Sequence, residues 1–155
     1  MLRGEFIRGD GLIIPNNVTT YGVKSFFRWA LRNEDYSLHM GLANCSPNVL
    51  LQVESLNEPA IGVGGYARKP IARTTDWPVF GTFNGEQYYE TSVFIFDSVD
   101  AGYDKPVNRL ALINSLSEVT GEKVVALSGV LPAEITITPA TPEAQRSFKY
   151  RIYGR

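Results

Sequence analysis

The chain is expected to be a mainly β protein: a single β-sandwich or jelly-roll-like domain with one short N-terminal helix and an extended N-terminal arm. Three observations predict this. Short runs of alternating apolar and polar residues recur along the 155 residues, punctuated at close intervals by Gly and Pro. A single early segment has helical periodicity. Hydrophobic residues make up 44% and charged residues 20%, which suits one domain with a packed core and argues against wholesale disorder.

Residues 1–16 mix Gly4, Gly9, Gly11 and Pro15 with Arg3, Phe6 and Arg8. This is too interrupted for a helix and reads as an extended arm with one apolar run, Leu12 to Ile14. The helix is predicted over 17–33, with Asn17 or Thr19 as cap and Val23, Phe26, Phe27 and Ala30 on one apolar side. The period then changes from 3.6 to 2, opening a β-domain over 37–155. Leu38, Met40 and Leu42 alternate with His39, Gly41 and Ala43 as a half-buried strand. Further strands are predicted at 66–73, 86–97, 109–116, 124–127, 135–138 and 148–153. Asn84-Gly85, flanked by aromatic residues, is the strongest hairpin signal. No linker or repeat divides the chain.

Fifteen basic residues against sixteen acidic ones leave a net charge of -1, without the basic excess of a general nucleic-acid binder. Cys45 stands alone, so no internal disulfide is available, and it reads as a small apolar filler. No run reaches the ~18 to 20 apolar residues of a membrane span, and no signal-peptide core opens the chain. Synthesis and folding in a cytoplasm are expected, which makes the sequons at Asn17 and Asn44 chance matches.

The search for chemistry returns no catalyst. Gly62-Val-Gly-Gly-Tyr-Ala looks like a dinucleotide turn, but Pro70 would break the helix such a turn requires. His39 is the only histidine and no nucleophile elbow exists, so neither a serine nor a cysteine hydrolase is supported. Asp97, Asp100 and Asp104 follow no calcium-loop spacing, and aspartates in turns ordinarily cap the backbone. Arg146, Lys149, Arg151 and Arg155 interleave with Phe148, Tyr150 and Tyr153. The simplest reading is an amphipathic strand with Phe148, Tyr150 and Ile152 on one face, its basic residues guarding a sheet edge. No enzyme, cofactor or metal is expected.

The stretch from Glu58 to Pro78 crowds turn formers and aromatics around a short strand. Together with Ile14-Pro-Asn-Asn-Val, the helix to about Arg32, and Leu38-His-Met-Gly-Leu, it carries a resemblance. Glu58-Pro-Ala-Ile-Gly-Val-Gly-Gly-Tyr-Ala-Arg-Lys-Pro-Ile, Asp76-Trp77-Pro78 and the Val93 to Phe96 strand continue it. In this order the features resemble a family of small β-rich structural virion proteins of tailed bacteriophages. Lys69 departs from the family's usual glutamine, and the glycine-rich tail after the Trp is modest.

The resemblance implies a non-enzymatic particle component. The first expectation is a capsid decoration or cement protein that binds itself and other virion proteins, the major capsid protein foremost. The alternative is a neck, collar or tail and fibre-attachment part. A more remote one is a carbohydrate-binding sandwich using Trp77, Tyr88 and Tyr89 as a stacking platform. Candidate interface or architectural residues are Arg3, Phe6 and Arg8 in the arm, with Tyr66, Arg68 and Trp77 beyond it. If the arm acts by docking, deleting residues 1–11 leaves folding intact and removes lattice binding.

Overall fold

A computed structural model of the chain describes residues 2–19, 22–23, 38–46, 53–72, 75–114 and 123–154. Its described strands are β1 (Leu2–Arg8), β2 (Ile13–Val18), β3 (Leu38–Ala43), β4 (Lys69–Pro70) and β5 (Val79–Phe83). They continue with β6 (Glu86–Glu90), β7 (Phe94–Ile95), β8 (Arg109–Asn114), β9 (Lys123–Ser128) and β10 (Ser147–Gly154). The protein is mainly β, and its strands form one curled antiparallel sheet. The order is β4-β3-β8-β9-β2-β1-β10-β6-β5, with β7 joined to β10.

The N-terminal segment is the chief correction. Residues 1–16 are not an arm: β1 lies between β2 and β10 in the middle of the sheet. Glycine and proline exclude a helix here, but they do not exclude a strand whose glycines have structural uses. At Gly4 a Cβ would lie 2.0 Å from the Tyr150 hydroxyl oxygen and 2.3 Å from the Asn16 side chain, so only a residue without one lets Tyr150 cross the strand. Gly9 to Gly11 form the turn into β2, closed by Arg8 N–H on the Leu12 carbonyl at 2.9 Å. Phe6 is fully buried and packs on Tyr150, ring centroids 4.9 Å apart. The corresponding error at the other terminus concerns β10. It is an interior strand flanked by β1 on one side and by β6 and β7 on the other, so its lysine and arginine guard no edge.

One face of the sheet holds the main core. Phe6, Ile14, Met40, Leu42, Leu110, Leu112, Val125, Phe148 and Tyr150 point into it from six strands. Fully burying a large apolar side chain contributes roughly 1.5–3 kcal/mol, so this shared face is the principal stabiliser. The curl brings distant strands together: Tyr66, just before β4, stacks on Phe96 at 6.3 Å, and Phe96 meets Phe148 of β10 at 6.2 Å. β3 is covered on both faces rather than half-buried. Leu38, Met40 and Leu42 enter the main core, while Ala43 joins Leu56, Ala111, Ile113 and Val124 in a second cluster on the reverse side.

Other boundaries shift for local reasons. The strand predicted at 66–73 shrinks to Lys69–Pro70 because Val63–Gly65 forms a 3₁₀ turn directly ahead of Tyr66. The predicted run 86–97 divides at Thr91, whose Oγ1 takes the Tyr150 N–H at 2.9 Å, while Ser92 N–H turns away to the Asp76 carbonyl. Residues 135–138 supply only the bridge between Val107 and Ile135. Directly after β2, Thr19 Oγ1 accepts the Gly22 N–H at 2.8 Å and its carbonyl accepts the Val23 N–H at 2.9 Å. The predicted helix starts too early, because Asn17 and Val18 pair with β9 as the end of β2; its residues 20, 21 and 24–33 lie outside the described residues.

Candidate functional site

The Glu58 to Pro78 stretch is architectural. Gly62, Gly64 and Gly65 all have positive φ, which bends the chain sharply before Tyr66. Tyr66 is not presented to a partner but is buried at 1% exposure. Its hydroxyl donates to Glu58 Oε1 at 2.8 Å and accepts the Leu42 N–H at 3.0 Å. Arg68 forks onto the same carboxylate, Nη2 to Oε2 at 2.6 Å and Nε to Oε1 at 3.0 Å. The bend is thereby tied to β3. Burial, then the neighbouring Glu58 charge, pushes the Tyr66 phenol well above its ordinary range, so it serves as a neutral hydrogen-bonding strut. Trp77 is a core anchor, edge-on to Tyr150 with centroids 6.4 Å apart.

The remaining sequence candidates are also engaged within the chain. Phe6 lies in the core, and Arg8 makes a bidentate pair with Asp10 across the first turn, at 2.9 and 2.8 Å. Arg3 bonds Glu86 at 3.0 Å and lies 4.0 Å over the Tyr153 ring. The three loop aspartates diverge in role. Asp97 pairs with Arg146, Asp104 accepts the Ala60 N–H, and Asp100 occupies a left-handed turn position. Among the described residues no group of three or more metal-ligating side chains converges.

The sheet face opposite the main core carries a charged ladder across β1, β10 and β6. Tyr153 hydroxyl donates to Glu5 at 2.8 Å, and Arg151 approaches Glu5 at 3.6 Å while bonding Glu90 through Nε at 2.8 Å. Lys149 reaches Glu90 at 2.8 Å. Burial alone would raise the Glu90 carboxyl, but the hydrogen bonds from Lys149 and Arg151 outweigh it and hold the group below its ordinary value. Lys149 and Arg151 are thus neutralised by acids of the neighbouring strands β1 and β6.

One surface is left open. Asn84 and Gly85 both have positive φ, the geometry of a type I′ turn, and join β5 to β6 as the sequence predicts. Tyr89 stands opposite Ile152 on one side and Phe80 on the other, so both rings lie on the core face of the sheet. The core ends before reaching them. Phe80 is 60% and Tyr89 51% exposed, their rings in contact at 4.9 Å. Phe83, at 54%, adds apolar surface on the reverse face. β5 ends the strand order, so its outer edge has no partner strand among the described residues.

This surface was missed as a site because aromatics flanking Asn-Gly signal a hairpin without saying which face the core will cover. The proposed stacking platform of Trp77, Tyr88 and Tyr89 is not assembled. Neighbours on a strand point to opposite faces: Tyr88 lies beneath Arg151 at 4.4 Å on the charged face, whereas Tyr89 is on the core face. Comparison with family models, with curated proteins and with solved structures returned no match.

Proposed function

We propose that the chain is a non-enzymatic structural component of a tailed-bacteriophage virion, a capsid decoration or cement protein that binds the assembled shell. The observation that carries an assembly role is the β5–β6 hairpin, where the core face of the sheet continues past the core and leaves Phe80 and Tyr89 in solvent. An exposed apolar patch beside an open strand edge is the kind of surface that another chain covers. The phage assignment rests on the word order of the Glu58 to Pro78 stretch and its flanks. The tying of Glu5, Glu58, Glu90, Arg68 and Arg151 into internal pairs supports a rigid part rather than a catalyst.

The finer fold reading belongs with this proposal. We read the curled sheet as sandwich-like, since strands far apart in its order face one another through Tyr66, Phe96 and Phe148. The Thr19 contacts with Gly22 and Val23 support a helix that begins only after β2, later than the sequence suggests. The protein would be made in the host cytoplasm and reside in the virion, with other virion proteins and its own copies as partners.

Purified chain added to shells lacking it should co-sediment with them and saturate at a fixed ratio to the major capsid protein. Absence of binding at any concentration would contradict the decoration role. Saturation at only a few copies per particle would move the protein to the neck or tail.

A further inference from the structure

We propose that the outer edge of β5 pairs with β5 of a second copy of this chain, in an antiparallel, two-fold arrangement centred on Gly81. The argument begins with the hairpin register. In a two-residue type I′ hairpin the residues flanking the turn, Phe83 and Glu86, form a hydrogen-bonded pair, and such pairs recur at every second position. Val79, Gly81 and Phe83 therefore turn their amides toward β6. Phe80 and Thr82 turn theirs outward, to the open edge.

The two edges of the sheet differ in a way that selects the occupant. At the far end β4 offers only Lys69 and Pro70, a short edge carrying a charge and a residue without an N–H. It cannot receive a five-residue strand, so head-to-tail growth from β5 to β4 is closed. β5, Val-Phe-Gly-Thr-Phe, contains neither charge nor proline, and it is complementary to itself. About a two-fold axis at Gly81, Phe80 faces Thr82 of the second copy, and the outward amides of both pairs meet reciprocally. Gly81 falls on the axis, where antiparallel backbones approach most closely, about 4.5 Å between Cα atoms. It brings no side chain of its own to the axis, its reverse face being covered by the Tyr88 ring of the same copy.

Charge is also compatible with this pairing. The acids opposite the ends of β5 in the hairpin register are Glu86 and Glu90, and both are paired within their own copy, with Arg3 and with Lys149 and Arg151 respectively. No uncompensated like charges therefore face each other across the axis. The pairing places Phe80 and Tyr89 of both copies on one continuous sheet face, joining the two exposed aromatic patches. The inference rests on the reading of the hairpin as an assembly contact, but not on the particle to which it belongs.

The test is sedimentation velocity on the purified full chain, with Thr82→Pro as the variant. Thr82 directs its N–H away from β6, so proline there removes an intermolecular hydrogen bond while leaving the hairpin ladder intact. The wild type, a 17.2 kDa chain, is expected to sediment as a dimer at about 100 μM, and Thr82→Pro as a monomer with an unchanged circular dichroism spectrum. Phe80→Lys, which places a charge on the pairing edge without touching the ladder, is expected to give the same result. A monomeric wild type at that concentration would overturn the proposal, as would an oligomer that survives both substitutions. A dimer that fails to bind phage particles would leave the pairing standing and count against the virion role. A monomer that binds them would do the reverse.

Discussion

Glu58 accepts hydrogen bonds from both Tyr66 and Arg68, so its carboxylate joins three segments of chain at one point. Replacing it removes an ion pair whose side chains are almost covered, 11% and 12% exposed, and takes from the buried Tyr66 phenol its acceptor. Glu58→Ala is therefore expected to cost about 3 kcal/mol, read as a lower denaturation midpoint in urea. Glu90 predicts a pH dependence. Its folded carboxyl titrates below the ordinary 4.5, so its stabilising contribution is complete above that value and is lost as pH falls through the lower folded value. Thermal melts should show stability declining below pH 4.5, with a smaller decline in Glu90→Gln. A decline of equal size in that variant would show that other groups carry it. At this scale Tyr66 and Arg68 could be singled out from their local word, and Arg68 does fork onto a carboxylate. Which carboxylate it uses depends on how the glycine bend folds back on β3, and spacing along a chain does not encode that.

Among the elements, β1 shows most clearly where sequence patterning stops. Gly4, Gly9 and Gly11 exclude a helix, and the extended conformation follows correctly, but a free arm and a central strand share the same composition. The difference lies in Phe6, which finds its partner Tyr150 only once the two ends of the chain pair. Phe6→Ala should destabilise the fold by about 3–5 kcal/mol. Deletion of residues 1–11 should give a chain without a cooperative thermal transition, because it removes β1 and leaves β2 and β10 with unpaired backbone. A truncated chain that melts like the intact one would restore the arm. The turn of the β5–β6 hairpin was legible because Asn-Gly favours positive φ locally, although β5 itself was not among the predicted strands. The alternation in β10 was equally legible, with Phe148 and Tyr150 inward and Lys149 outward. Its interior position was not, since pairing order is set by contacts distant in sequence.

For the whole molecule, mainly-β character was readable from period-two runs and turn residues, whereas a single curled sheet was not distinguishable from two facing ones. Both bury one face of each strand, and the sequence pattern reports only that face. Among the described residues the sheet ends at one edge with Lys69 and Pro70 and at the other with the apolar β5, which has no further partner strand. This asymmetry is the observation behind the proposed assembly role; the proposed virion setting rests on sequence alone, that of the Glu58 to Pro78 region and its flanks. The decisive measurement for the proposed virion role is quantitative mass spectrometry of purified tailed-phage particles produced with this chain expressed in the host, with copies counted against the major capsid protein. A decoration protein is expected at hundreds of copies per particle, on the order of one for each lattice site it caps; absence of the chain from purified particles would contradict the virion role outright.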